Sequence, residues 1–484
     1  MVTTRKKQDA GSQRDDMQSL PTDEAVKLFQ AWSKSEDDTK PVQRICELTG
    51  GLPLAVRLAG KYIFETGEPV SEYLEDLENT PLEELNQGDR KLESVPVLLK
   101  RSLNQVSDNA ISIIGIAGIL AFSSFSKEVI QAAMPDIPIK KPINELNNYG
   151  LLNRIDKRFI ISHALIHTYA RENHNPDNKV IERISEYYNS YAREYREQGP
   201  KGYEVLDKEK KHIMRVTEEC KTRKIWQWVN ELVWAVGNIG GYFYTCGYWV
   251  EHKAALTLGI YAAKKTHDIK SQCEFLNNLG VTYRNLGQTI ESIKLFKQSL
   301  KISDRLVKDK ILSNLGNAYC DLGQTEKAIK CYEKALSVGR YIGSKHRESS
   351  ILGNMGNAFY AYGQLLKAIE CYDKALSISR EIGARKDEGI WLGNIGVLYR
   401  DLGQTEKAIE YCEQALSISR DIGHMKNEAN QLNILGSVYC DLGETEKAIE
   451  YYKKSHSICR EIGHRHGEVI CLSNLGKAYT DLTT

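Results

Sequence analysis

The chain has 484 residues, of which 65 are Lys or Arg and 64 are Asp or Glu, so its net charge is +1. A domain usually holds about 100 to 200 residues, which predicts two or more structural units. The balanced charge provides no overall field that would draw the protein onto nucleic acid or anionic lipid. The most apolar run, residues 110–122, is shorter than the roughly 20 residues of a membrane-spanning helix, and the chain opens with no signal peptide. We therefore expect a cytoplasmic protein without membrane segments.

The eleven cysteines include no C-x-x-C pair, and some recur at equivalent repeat positions, as Cys331 and Cys371 do. This spacing predicts packed thiols rather than disulfides or a zinc site. His424, His464 and His466 fall in predicted turns without thiol or acidic residues at ligand spacing. We expect no metal site.

The first residues contain two short signatures. Val2-Thr3-Thr4-Arg5 resembles the end of a buried strand followed by an arginine, and a capped amphipathic helix follows from about residue 20. Gly50-Gly51-Leu52-Pro53-Leu54 then predicts a helix start, with a proline in the first turn after a flexible glycine pair.

A winged-helix pattern covers residues 95–172. The predicted helices cover residues 97–106, 109–121, a segment from 126, and 143–149. A hairpin over residues 151–162 turns at Asp156-Lys157, and Ser162-His163-Ala164 follows it.

Together these segments resemble the second half of an NB-ARC module, the nucleotide-binding unit of signal-transduction ATPases with numerous domains. The resemblance spans residues 2–172 and implies ADP or ATP as a ligand. It implies that Arg5 senses the terminal phosphate, that the motif Gly51, Leu52, Pro53 and Leu54 places Pro53 on adenine, and that His163 contacts the ADP phosphates. Ser162 and Ala164 stand where the family has Met and Asp.

The phosphate-binding loop of such ATPases is absent. The sequence contains no G-x-x-x-x-G-K-[ST], and no apolar strand ending in paired acids follows such a loop. Losing its three or four charge-assisted hydrogen bonds removes about 5 to 12 kcal/mol of binding energy. We expect no ATPase activity and no catalytic residues, and we interpret the chain as a fragment, remnant or late-started version of a longer regulator.

A helical connector is predicted after the winged helix. Residues 179–198 carry Tyr187, Tyr188, Tyr191 and Tyr195, a stripe that is more typical of packing than of binding. We divide the chain into an NB-ARC remnant (1–94), a winged helix (95–172), a connector (173–227) and a repeat region (228–484).

The repeat region shows a regular period. The tripeptide Asn-Leu-Gly or a close variant recurs, and four of the five intervals between its glycines are 40 residues long while the first is 36. These glycines are Gly280, Gly316, Gly356, Gly396, Gly436 and Gly476. A loss of four residues is about one helical turn, so we expect one helix of that repeat to be shorter.

Each repeat predicts a helix-turn-helix hairpin. Apolar residues from Leu312 to Tyr319 follow helical spacing, as do those from Ala328 to Leu336. Gly323 is placed to end the first helix in the left-handed conformation, and Thr325 to cap the second. We expect Gly316 and Ala328 to lie where the two helices cross.

These repeats resemble the tetratricopeptide repeat, in its 40-residue variety marked by Ile-Gly and a downstream Glu, as at Ile382, Gly383 and Glu388. The resemblance covers residues 228–482 and implies an α-solenoid with a concave groove that holds an extended partner. The fold class is therefore mainly all-α.

A row of asparagines is predicted to face that groove. They are Asn278, Asn314, Asn354, Asn394 and Asn474, with Asn317 and Asn357 one turn further along. An amide offers both a donor and an acceptor, which suits the backbone of an extended peptide. The alternative is that these amides satisfy neighbouring helix ends or face water, and Ile434 interrupts the row.

The last repeat ends after its first helix, where Leu472, Leu475 and Tyr479 face the position of a missing second helix. Self-association through such an end stays open.

Three functions compete at this point. The first is a signalling switch, in which nucleotide state and a partner in the groove bias one equilibrium. The second is a plain adaptor with a vestigial N-terminal third. The third is DNA binding by the winged helix, but residues 142–149 carry a Glu and neither Arg nor Lys, so we do not expect it.

Overall fold

The computed structural model describes residues 19–34, 39–78, 90–462 and 464–483. The chain forms two compact units, residues 1–267 and 268–484. Both are mainly helical, which confirms the predicted fold class. No described helix combines the length and the apolar character needed to cross a membrane.

The first unit begins with a small helical bundle. Its helices are α1 (Thr22–Ser33), α2 (Thr39–Leu48), α3 (Pro53–Thr66), α4 (Val70–Glu78) and α5 (Arg90–Asn104). Helix α3 packs against α1 and α5, and its Gly60 faces the backbone of Phe29, where an added Cβ would come within 2.9 Å of the carbonyl oxygen. The bundle therefore holds α3 firmly in place.

A winged helix follows. It consists of α6 (Asp108–Ile119), β1 (Phe125–Ser126), α7 (Lys127–Ala133), α8 (Lys140–Asn148), β2 (Leu152–Ile155) and β3 (Arg158–Ile161). The antiparallel sheet has the order β1-β3-β2, with Leu152 opposite Ile161, and the hairpin turns at Asp156, whose φ is 54°. The predicted hairpin is confirmed. In α8, the Glu145 carboxylate accepts hydrogen bonds from the N–H and hydroxyl of Ser107.

The rest of the first unit is helical. It comprises α9 (Ala164–Asn173), α10 (Asn178–Glu197), α11 (Pro200–Thr222), α12 (Trp226–Val236), α13 (Tyr242–Thr245) and α14 (Trp249–Lys265). Helix α12 packs against α10, α11 and α14. The boundary between the units thus lies at His267 and Asp268, and residues 228–267 belong to the first unit.

Buried polar contacts join the winged helix to α10 and α11. Glu209 of α11 is 1% exposed, ion-pairs with Arg158 of β3 at 2.5 Å and accepts a hydrogen bond from the hydroxyl of Tyr188. Tyr188 itself is fully buried, so this part of the tyrosine stripe belongs to the packing of the unit. Removing Arg158 would leave the Glu209 carboxylate buried without its counter-charge, a loss that costs about 3 to 5 kcal/mol in a buried pair.

The second unit is an array of antiparallel helices. They are α15 (Ile269–Asn285), α16 (Thr289–Ile302), α17 (Lys308–Asp321), α18 (Thr325–Ile342), α19 (Lys345–Ala361), α20 (Leu365–Glu381), α21 (Arg385–Asp401), α22 (Thr405–Asp421), α23 (Met425–Asp441), α24 (Thr445–Glu461) and α25 (Arg465–Thr483). Odd-numbered helices are the first and even-numbered helices the second of each hairpin. Consecutive first helices pack more closely against one another than consecutive second helices do, so the first helices line the inner side of the array.

The hairpin turn differs in detail from its prediction. Gly323 has a φ of 68° and its N–H bonds to the Cys320 carbonyl, as a left-handed helix end requires. Thr325 does not cap α18, because the helix begins at Thr325 itself and Gln324 holds the cap position without a side-chain hydrogen bond. An added Cβ at Gly316 would meet the ring of Tyr332, which the sequence did not predict, and at the equivalent Gly396 it would lie 3.3 Å from the carbonyl oxygen of Ala408.

The short first interval is absorbed by two helices. Helices α16 and α17 have 14 residues each, whereas the later helices α19 to α24 have 17 each. Our expectation of a single shortened helix was therefore wrong. Helix α16 ends one hairpin and α17 begins the next, and each is three residues shorter than the later helices.

Ion pairs repeat between hairpins at the positions of the Ile-Gly and Glu signature. Arg340, Arg380 and Arg420 near the ends of second helices pair with Glu348, Glu388 and Glu428 of the following first helices at 2.7, 2.9 and 2.8 Å. The downstream Glu of the repeat thus fastens one hairpin to the next.

Helix α25 has apolar side chains at its surface. Leu472 is 54% exposed and Tyr479 45% exposed on α25, while Leu475 is half-buried. All eleven cysteines are free thiols, and seven of them are buried, which confirms the packed-thiol prediction.

Candidate functional site

The Gly-Leu-Pro-Leu motif forms the start of α3. Gly51 has a φ of 65°, and a Cβ there would come within 2.8 Å of the Leu20 carbonyl oxygen, so only glycine fits. Leu52 and Leu54 are buried on either side of Pro53, which is the first residue of α3 and remains exposed. The motif therefore presents the proline ring at the surface of a fixed helix start.

His163 caps the helix that follows the winged-helix hairpin. Its Nδ1 accepts a hydrogen bond of 3.1 Å from the Leu165 N–H at the start of α9. Burial, and secondly the nearby Arg57, lower the pKa of His163. The imidazole is therefore neutral near pH 7, and because Nδ1 is the acceptor, the proton is on Nε2.

Arg57 joins these two segments, although they are far apart in the sequence. It follows Pro53 by one helical turn, so the two residues share a face of α3. Its guanidinium donates a hydrogen bond of 3.0 Å to the Ser162 hydroxyl, which donates in turn to the Gly150 carbonyl at 2.6 Å. The structure thus brings the Pro53 face and His163 together, whereas Arg5 lies outside the described residues.

The neighbourhood of Arg57 is suited to a phosphate-bearing ligand. The exposed ring of Pro53 offers a surface for a base, and the Nε2 proton of His163 offers a donor to a phosphate oxygen. The described residues contain no group of three or more His, Cys, Asp or Glu side chains that would hold a metal ion.

The predicted asparagine row lies on the first helices of the second unit, and most of it follows one rule. The amide of Asn314 donates to Asn277 at 2.9 Å, that of Asn354 to Ser313 at 3.3 Å, and that of Asn474 to Asn433 at 3.1 Å. In each case the acceptor directly precedes the row position of the preceding first helix. The row is therefore a chain of bonds between hairpins.

Two glycines explain where the row changes. Gly353 precedes Asn354 and offers no acceptor, so Asn394 donates instead to Asn357, at 3.5 Å. Gly393 is the next such position, and the following row residue, Ile434, has no amide to satisfy. The interruption at Ile434 thus matches the missing acceptor.

The predicted residues differ in availability. Asn278 is buried and accepts from the Asn277 amide at 3.4 Å. Asn317 and Asn357 accept hydrogen bonds from the hydroxyls of Tyr332 and Tyr372, at 2.6 and 2.5 Å, which the sequence did not reveal. Asn357 is exposed. The other members of the row are half-buried: Asn314, Asn317, Asn354, Asn394 and Asn474.

Family comparison agrees with this geometry. Residues 308–381, 347–421 and 428–482 match one tetratricopeptide-repeat model, and residues 274–309 match another. The second unit is a tetratricopeptide-repeat solenoid. No curated protein matches the chain.

Solved structures extend the comparison to the first unit. A signal transduction ATPase with numerous domains from Pyrococcus horikoshii, which carries a tetratricopeptide repeat sensor, aligns with a TM-score of 0.61 and 19% identity. The alignment covers 96% of this chain but 63% of that one. BtubC from P. vanneervenii matches 44% of this chain and 92% of its own, with 20% identity and a TM-score of 0.40. The predicted resemblance to these ATPases is confirmed for the fold.

Proposed function

We propose that the protein is a regulatory scaffold whose tetratricopeptide solenoid binds a protein or extended peptide along its first helices. The observation that carries this proposal is the row of amides on the inner side, which runs over the consecutive first helices α17, α19 and α21 and resumes in α25. Amides at regular intervals suit a peptide backbone, which repeats its own donors and acceptors.

The middle of the row is the part best placed for a ligand. The amides of Asn354 and Asn394 have the longest bonds of the row between hairpins, 3.3 and 3.5 Å, so their replacement by bonds to a peptide costs little. Nearby, the exposed hydroxyl of Tyr360 donates to Asp401 at 2.6 Å. We propose that this segment, from α19 to α21, contacts the partner.

The test begins with peptides selected on the full chain from a display library of random sequences. Their dissociation constants are then measured by fluorescence polarisation for the wild type and for the double variant Asn354→Ala/Asn394→Ala. We expect at least a tenfold loss of affinity with an unchanged melting temperature. A charge-neutral control, Glu333→Ala/Lys374→Ala, alters exposed side chains of second helices and should bind like the wild type. Equal affinity of all three proteins would refute the groove.

We propose in addition that the first unit senses ADP through Pro53 and His163, and that the chain itself does not hydrolyse ATP. The fold shared with a signal-transduction ATPase supports the sensing role, and the sequence lacks the phosphate-binding loop. Such a regulator would act in the cytoplasm. A DNA role has less support, because the basic residues of α8 are limited to Lys140 and Lys141 at its start and the helix also carries Glu145.

Thermal unfolding of the full chain with millimolar ADP tests the sensing role. We expect ADP to raise the melting temperature of the wild type but not of His163→Asn, which keeps a side chain able to cap α9. No effect of ADP on the wild type would leave a plain adaptor. Phosphate release from ATP should stay at the background rate.

A further inference from the structure

The N-terminal unit contains a basic cluster around Trp32. The Arg57 guanidinium and the Lys61 ammonium lie 5.7 and 5.3 Å from the centre of the Trp32 ring, and Lys34 and Lys61 both approach the Phe64 ring. Neither Arg57 nor the two lysines forms an ion pair with any residue that the structure describes. The cluster is thus a local concentration of positive charge in the part of the chain that the structure describes.

Within the cluster, Arg57 is held in an energetically unfavourable environment. Its side chain is half-buried, and burial lowers its pKa. Its Nε is buried and has no hydrogen-bond partner among the described residues, although the other end of the guanidinium is held by Ser162. A buried charged donor without a partner is costly, so a water, an ion or a ligand that accepts a hydrogen bond from Nε would stabilise this position.

His163 adds a second donor beside it. Because Nδ1 accepts the Leu165 N–H, the Nε2 proton points to no partner among the described residues and remains for a ligand. The imidazole also stands at the N-terminus of α9, a helix of ten residues whose dipole favours an anion there. Arginine, an imidazole N–H and a helix start form a set of donors that matches a phosphate group.

We propose that Arg57 binds the phosphate groups of a nucleoside diphosphate together with His163, and so ties α3 to the winged-helix hairpin. This inference rests on the proposed ADP sensing and extends it to a residue outside the predicted motifs. The ligand neutralises the guanidinium, whose contacts among the described residues are the Ser162 hydroxyl and the Trp32 ring.

The test uses pyrophosphate and ADP as separate probes on the full chain, at constant ionic strength set with NaCl. Thermal unfolding and calorimetric titration are compared for the wild type, Arg57→Met and Arg57→Lys. For the wild type we expect both probes to raise the melting temperature in a saturable manner. Arg57→Met should melt higher than the wild type without probe and lose at least tenfold in affinity, and Arg57→Lys should lose less. Arg44→Met removes an exposed arginine of α2 and should keep the wild-type response.

The outcomes separate the two proposals. If Arg57→Met melts lower than the wild type and binds both probes equally well, Arg57 is a structural residue and the inference is overturned, while ADP sensing stands. If pyrophosphate binds through Arg57 but ADP has no effect, the anion site stands and ADP sensing falls. If neither probe binds the wild type, both proposals fail.

Discussion

The ring of Tyr372 in α20 fills the space beside Gly356 in α19. A Cβ added at Gly356 would lie 2.6 Å from the ring, and the Tyr372 hydroxyl is fixed by its hydrogen bond to Asn357. The same arrangement, a ring sixteen residues after the glycine, joins Gly280 to Phe296 and Gly436 to Tyr452. Together with Gly316 and Tyr332, four of the six tripeptide glycines therefore face an aromatic ring, whereas Gly396 faces Cys412 and Gly476 has no neighbour within 4 Å.

Replacing Gly356 by alanine should destabilise the solenoid. Overpacking costs about 1 to 3 kcal/mol, whereas the better helix propensity of alanine returns up to about 1 kcal/mol. We expect a lower midpoint in urea unfolding followed by circular dichroism. The matched control is Gly476→Ala in α25, where nothing lies within 4 Å of the added Cβ. That variant should be as stable as the wild type or more so, and equal losses in both variants would contradict overpacking against the Tyr372 ring as the cause.

A second glycine predicts a compensating pair. An added Cβ at Gly353 would overlap the ring of Trp391, which is buried and donates through Nε1 to the Ser349 hydroxyl at 3.1 Å. One repeat earlier, the equivalent positions are Ser313 in α17 and Ile351 in α19.

Gly353→Ser alone should therefore cost several kcal/mol, at or beyond the upper end of the ~1 to 3 kcal/mol typical of overpacking, because the indole cannot move. Trp391→Ile alone leaves a cavity and should cost about 3 kcal/mol. The double variant should be more stable than the sum of the two losses predicts, by at least about 1 kcal/mol in a double-mutant cycle of urea unfolding. If the two losses of unfolding free energy simply add, the side chain at position 353 does not fill the space left by Trp391.

The asparagine row should separate into structural and ligand-facing members. Asn314→Ala removes the 2.9 Å donor to Asn277, which is 1% exposed, and should cost about 1 to 3 kcal/mol of unfolding free energy. Asn394→Ala breaks a longer, exposed contact and should change that free energy by less than about 0.5 kcal/mol. Chemical denaturation of both variants, without a partner, checks this order, and the reverse order would refute it.

The sequence was informative wherever its period was visible. Local rules predicted three features that the structure shows. They are the helix glycine repeated every 40 residues from Gly316, the left-handed conformation of Gly323 and the hairpin turn at Asp156. The local capping rule failed at Thr325. The end of α17 sets the geometry of the turn, and α18 begins one residue earlier than that rule predicts.

Contacts between distant segments were out of reach. Nothing in the sequence places Arg57 beside Ser162, which follows it by 105 residues, because helix periodicity says only that Arg57 shares a face with Pro53. The link of the amide row to its acceptors was also missed, since it depends on the offset between neighbouring first helices. One signal in the sequence could have indicated this link. Gly393, directly before Asn394, has no side-chain acceptor, and the next position of the row is Ile434 instead of an asparagine.

The first unit should lose stability in mild acid because of its buried histidines. His212 of α11 is fully buried, where Nδ1 accepts the Ala121 N–H at 3.1 Å and Nε2 donates to the Ser124 carbonyl at 3.0 Å. Protonation of Nδ1 would place an imidazole N–H against the Ala121 N–H, so that this hydrogen bond would be lost. Burial has the largest effect and lowers the pKa of His212. The hydrogen bond to the Ser124 carbonyl and the charge of Glu209 raise it, and Arg158 lowers it, but the direction stays downward.

The sign follows from proton linkage. An unfolded histidine titrates near pH 6.5, and the folded His212 only at a lower pH, so the unfolded chain binds more protons between the two values. The stability contribution is complete above pH 6.5 and falls with pH by at most about 1.4 kcal/mol per pH unit for each such histidine. Burial lowers the pKa of His167 and His252 as well, so their contributions add in the same direction.

Fluorescence in a Trp391→Phe background reports this transition, because every other tryptophan belongs to the first unit. We expect its melting temperature to fall between pH 7.5 and 5.5. His212→Gln keeps one acceptor and one donor without titrating in this range, so its melting temperature should depend less steeply on pH, even if it is lower at pH 7.5. His466→Gln alters an exposed residue of the second unit and should leave the slope unchanged. If His212→Gln also keeps the full slope, the acid sensitivity comes from other groups and His212 is not among its causes.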